Sequence, residues 1–183
     1  MTVEVLDFPD AAGWESWLEA QHEHAHEAWL RIAKRHSGPT RITITQALDV
    51  ALCFGWIDGQ RKACDEVSFM QRFSRRRPRS PWSRLNTTRV EALLAAGRLH
   101  PAGLAEVSAA RADGRWDAAY ESQRTASVPS ELATELAGNT RASAAFESLD
   151  RSGRYAVMLP LLKAHTPEGR ARALARAVAQ LTA

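Results

Sequence analysis

Apolar positions recur along this chain with two periods, and the changes between them mark out its elements. Val3 to Phe8 reads as a short strand. Beyond Pro9, residues Trp14, Trp17 and Leu18 fall at i, i+3 and i+4, which predicts a helix with its tryptophans toward a core. Glu27 to Lys34 is apolar enough for a second strand and stops at His36-Ser37-Gly38-Pro39, which is turn chemistry. Thr43 and Gln46 have the spacing of a capping box. The helix it opens turns Ala47, Leu48, Ala51 and Leu52 inward and ends at Gly55, a left-handed cap.

Trp56 to Arg61 and Val67 to Phe73 read as two strands joined by a polar turn, with Phe69, Gln71 and Phe73 alternating against Met70 and Arg72. Val90, Leu93 and Leu94 predict a helix from Arg84 to Ala96, stopped by Gly97, and Pro101 opens another that ends at Gly114, with Trp116 anchoring the exit. Glu121 to Pro129 is polar and without period, the best boundary in the chain. Beyond it Ser130 and Asn139 are candidate caps of short helices, and Thr166-Pro167 opens a longer one with the stripe Ala171, Leu174, Val178 and Leu181. Arg170, Arg172 and Arg176 surround the rest of that helix, while Pro160 should kink or divide the one before it. The expected fold is α+β. A small antiparallel sheet packs with helices in residues 1–120, a linker spans 121–129, and a helical region fills 130–183.

Composition excludes some classes. With 45% hydrophobic and 25% charged residues over 183 positions, the chain can bury a core and is not disordered throughout. No stretch is long and apolar enough to span a membrane, and the first residues lack the basic and apolar regions of a signal peptide, so a cytoplasmic setting is expected. Cys53 and Cys64, with ten residues between them, match no common zinc or redox spacing and read as reduced structural thiols. The net charge of +3 conceals an asymmetry: the first thirty residues hold seven acids, from Glu4 to Glu27, and no lysine or arginine. Such a split fits either a polyanion-binding surface in the basic remainder or an acidic layer that neutralises the basic segment internally.

The densest candidate chemistry is Gln71 to Asn86, with six arginines and no acid. Guanidinium forks suit phosphate or carboxylate, Trp82 could stack a base or cation, and a helix N-terminus would add backbone donors. The structural alternative is a solvated loop whose arginines pair with Asp58, Asp65 and Glu66 while Trp82 is a packed anchor. Asp49 and Cys53 share a helix face at i, i+4, but no histidine lies nearby in sequence to act as the base a cysteine nucleophile requires. Asp58 could orient an arginine or accept a proton; a salt bridge is its plainer role. His22, His24 and His26 invite a metal reading, yet they sit at a connection rather than on two rigid elements, so no metal and no cofactor is inferred.

The runs ALDVALCFGWIDGQRK, QRFSRRRPRSPWSRLN and GRLHPAGLAEVSAARADGRWDAAY resemble the YdeI/OmpD-associated family, the OmdA-type bacteriocin-protection proteins, and residues from Ser130 onward are similar to its helical C-terminal region. The resemblance covers the chain from about Ile44. It implies a protein linked with tolerance of bacteriocins or antimicrobial peptides and brings no catalytic residues. Its motif positions are Asp49, Gly55, Trp56, Asp58, Arg72, Arg76, Arg77, Ser80, Trp82, Ser83 and Asn86, while Pro81 and Pro160 depart from the pattern. The leading functional expectation is a binding protein for an anionic small molecule, recognised by Trp56, Asp58, Arg72, Arg76, Arg77, Ser80, Trp82, Ser83 and Asn86. Three alternatives rank below it: nucleic-acid binding through the same segment, an enzyme using Asp49 or Asp58 beside the arginines, and an adaptor docking a protein partner through its C-terminal helices.

Overall fold

The computed structural model describes residues 4–36, 38 and 41–183. Among them the chain runs β1 (Val5–Asp7), α1 (Ala11–Gln21), β2 (Glu27–Ala33), α2 (Ile44–Cys53), β3 (Trp56–Ala63), β4 (Ser68–Arg75), α3 (Arg84–Ala95), α4 (Pro101–Ala112), α5 (Ser130–Gly138), α6 (Thr140–Ser148), α7 (Arg151–Lys163) and α8 (Pro167–Thr182). Ser37 and Pro39 of the expected turn, and Val3 of the first strand, lie outside the described residues. Contacts divide the chain into two compact units: Met1–Ser80 with Thr88–Ala110, and Pro81–Thr87 with Arg111–Ala183.

The first unit holds a sheet of order β1-β2-β4-β3. The fold is α+β as expected, but the sheet is mixed, not antiparallel: β1 runs parallel to β2, while β2–β4 and β3–β4 are antiparallel. The reason lies in α1, since a helix between two strands returns the chain in its original direction, whereas the β3–β4 hairpin reverses it. A bulge interrupts β3 between Asp58 and Arg61. The buried Gln71 side chain plugs it, donating to Gly59 O at 3.0 Å and Gln60 O at 3.1 Å and accepting from Arg61 Nε at 3.1 Å. A buried amide is tolerated in this apolar row because the bulge exposes carbonyls that need donors.

Helices α1 and α2 cover one face of this sheet, around Trp14, Leu18, Leu30, Ile32, Trp56 and Phe73. Trp14 and Trp17 both meet Trp56 edge-on, at 6.2 and 6.1 Å between ring centroids, and Trp14 Nε1 donates to Ala47 O at 3.1 Å. The capping box of Thr43 and Gln46 is formed in both directions, and Gly55 takes φ +72° at the end of α2.

In the second unit, helices α5 to α8 bury Leu132, Phe146, Val157, Met158 and Leu161 with Ala173, Ala177 and Leu181 of α8. The buried stripe of α8 thus lies one side of the expected one: Leu174 and Val178 are half-buried and Ala171 is exposed. Asn139 caps α6 and Thr166 caps α8, whereas Ser130 is the first helical residue behind an N-cap Pro129. Pro160 does not divide α7, which runs unbroken past it with the proline ring exposed. Arg84 N donates to Tyr120 O and Tyr120 N to Trp82 O, both at 2.9 Å, which pins the Pro81–Thr87 segment within this unit.

Candidate functional site

The C-terminal end of β4 and the loop after it bring Arg72, Arg75, Arg76 and Arg77 to one cleft of about 280 Å³, lined also by His26, Glu27, Ser74 and Pro78. Four arginines and one acid therefore line it. The strand determines how each is held. Arg72 lies opposite Trp29 on β2, two residues past Glu27, and its Nε approaches Glu27 Oε2 at 3.4 Å. Arg75 reaches the connection between α1 and β2, its Nε donating to Ala25 O at 2.9 Å and its Nη2 to Glu23 O. Arg76 is buried, and its amide donates to Gly55 O at 3.1 Å. Arg77 is exposed and makes no ion pair among the described residues.

Of the nine expected site residues, three arginines therefore share one cleft. Trp56 lines a neighbouring cleft that Arg76 also lines, although the indole itself is only 1% exposed in the tryptophan cluster. Asp58 is half-buried on β3, opposite Phe73. Ser80 follows the arginine loop at its end in the first unit. Trp82, Ser83 and Asn86 belong to the second unit, where Trp82 packs on Trp116 at 4.9 Å between centroids. At 1% exposure Trp82 has no free face for a base or cation, so it is a packed anchor. Asp65 pairs with Arg31 rather than with the loop arginines.

The other chemical candidates resolve into structural roles. Asp49 accepts from Arg89 Nη1 at 2.8 Å, and burial pushes the Cys53 thiol up to about 11, which keeps it protonated at neutral pH. Cys53 and Cys64 are both free thiols. Of the three histidines His24 and His26 are exposed, while His22 is half-buried against Phe54 and His100. Among the described residues no three metal-ligating side chains converge, and no described helix is long and apolar enough to cross a membrane.

Sequence reasoning missed Arg75 as a tie between distant segments and Glu106 of α4 as a cleft residue. The partners of Arg75 are backbone carbonyls some fifty positions away, and these have no signature in sequence. The acidic start of the chain is largely spent internally: Asp7 pairs with Arg41 at 2.9 Å, Glu15 with Arg98 at 3.8 Å and Glu27 with Arg72, while Asp10 caps α1.

Fold and cleft together define a two-unit α+β protein whose N-terminal mixed sheet carries an arginine-walled cleft and whose C-terminal part is helical. Residues 6–106 match the model of a domain of unknown function, DUF8412, and the chain belongs to that family. Residues 125–183 match the model described as bacteriocin-protection, YdeI or OmpD-associated, which shows the resemblance in the helical C-terminal region. The central motifs from Ala47 to Asn86 fall within the first match. No curated protein and no solved structure matches the chain.

Proposed function

We propose that this protein, with its bacteriocin-protection-like C-terminal region, binds an anionic small molecule in the cleft of Arg72, Arg76 and Arg77. The observation that carries the reading is the charge of that cleft, four arginines against the single carboxylate of Glu27. Two of the arginines are also held in place, since Arg75 is tied to carbonyls and Arg76 is buried, so these two side chains have little freedom left to lose on binding. Planar guanidinium groups offer paired donors to phosphate or carboxylate, and Ser74 adds a hydroxyl.

Thermal melting with inorganic phosphate, pyrophosphate, ATP and citrate tests this. A ligand at a hundredfold its Kd stabilises the folded state by about 2.7 kcal/mol, a shift of several degrees. Arg77→Ala removes an exposed side chain without an ion pair, so it leaves the unliganded melting temperature in place and abolishes the gain. A melting temperature unmoved across the panel, or a gain that Arg77→Ala retains in full, overturns the proposal.

A further inference from the structure

A larger cavity, of about 800 Å³, opens where α2 begins and shares no lining residue with the arginine cleft. Small-molecule sites run from about 300 to 1,000 Å³. Its floor is apolar, made by Ala33, Ile44 and Phe69. Further along the same two elements the core is closed: Gln71 and Phe73 of β4 and Ala47 and Leu48 of α2 are buried. Phe69 and Ile44 are only half-buried, although Ile32, the register partner of Phe69, is fully buried. The layer between helix and sheet is therefore left open at this end.

The rim is cationic. Lys34, Arg35 and Arg61 line the cavity, and no acid does so among the described residues. Lys34 Nζ donates to Asp65 O at 2.7 Å. The Arg61 guanidinium lies over the Phe69 ring, with Cζ 4.1 Å from the centroid, and its Nε donates to the neutral amide of Gln71 at 3.1 Å. Arg35 and Arg61 have no ion pair among the described residues, so their charge is open to an anion. Because Arg61 already occupies a face of Phe69, that face is not offered to a second ring, and an aliphatic chain is the better match.

We infer that this cavity binds a carboxylate carried on an aliphatic chain, with the carboxylate at Arg35 and Arg61 and the chain over Ile44 and Phe69. Each methylene removed from water raises affinity about fourfold, so chain length and head-group charge can be read separately. Titration calorimetry on the full chain with octanoate, butanoate and octylammonium does this. Octanoate should bind at least about tenfold more tightly than butanoate, which lacks most of the chain, and than octylammonium, which reverses the charge.

Arg35→Gln and Arg61→Gln should each weaken octanoate at least about threefold. Arg35→Gln, at an exposed side chain, should do so with the melting temperature in place. Ile44→Ala should lower the preference for octanoate over butanoate at least about twofold. Arg77→Ala should leave octanoate binding unchanged, since Arg77 lines the other cleft. No octanoate binding at millimolar concentration, equal affinity for octylammonium, or full affinity in the Arg35→Gln/Arg61→Gln double variant overturns the inference. So does loss of octanoate binding in Arg77→Ala, which would place the carboxylate in the arginine cleft.

Discussion

Asp65 organises the β3–β4 hairpin by gathering donors. Its Oδ1 accepts from Ser68 N at 2.7 Å, Ser68 Oγ at 2.8 Å and Val67 N at 3.0 Å, and its Oδ2 takes the Arg31 guanidinium. The Ser68 hydroxyl first, then Arg31, hold this carboxyl well below the usual carboxylate range. A depressed folded-state value means the stabilisation is complete above the unfolded value near pH 4 and is lost as pH falls below it toward the folded one. Asp65→Asn should therefore be less stable than the parent at pH 7, with the gap closing in melts taken from about pH 4 downward; a gap independent of pH overturns this account. At Gly103 the issue is space: an added Cβ would lie 2.2 Å from Cys53 O and 2.8 Å from its carbonyl carbon. Gly103→Ala should cost about 3 kcal/mol or more in urea melts, whereas Gly138→Ala, with nothing within 4 Å, should be neutral or stabilise by about 0.5 kcal/mol. Neither requirement is legible in sequence, because the atom that excludes a side chain at Gly103 belongs to the backbone of another helix.

At the scale of the element, the helical C-terminal region uses its arginines on helix ends. Arg154 of α7 donates to the carbonyls of Phe146, Glu147 and Leu149 at the end of α6. Arg170 of α8 reaches Leu161 O and Ala164 O at the end of α7, and Arg141 of α6 reaches Ala183 O beyond α8. Each places a positive charge where the last carbonyls leave a partial negative one. Part of the basic character of this region is thereby structural. Arg154→Ala should cost about 1 kcal/mol in chemical denaturation and Arg154→Lys less, since an ammonium satisfies fewer of the three carbonyls. The elements themselves were legible because caps and periodicity are local: Thr43 with Gln46, Gly55 at φ +72°, and Thr166 with Pro167 stand where the sequence places them. The parallel pairing of β1 with β2 was not, since Val5 meets Trp29 across a helix and no local residue encodes the neighbour.

At the scale of the whole molecule, two units with separate cores carry separate family matches, residues 6–106 and 125–183. The arginine cleft was half legible for the same reason. A run of like charges announces itself, but its division into Arg75 as a tie, Arg76 as buried and Arg77 as exposed depends on carbonyls and strands elsewhere in the first unit. The run Gln71 to Asn86 is contiguous in sequence yet passes from one unit to the other after Ser80. Separate cores have a thermodynamic consequence, because a cavity made in one lowers the stability of its own cooperative unit first. Leu132 is fully buried among α5 to α8, so Leu132→Ala should cost about 2–5 kcal/mol, read as faster amide exchange throughout those helices. Amides of β2 and β4, whose core is built on Trp14, Trp56 and Phe73, should keep their exchange rates. If the slowest amides of β4 and α8 instead accelerate together by the same factor, the two cores unfold as one.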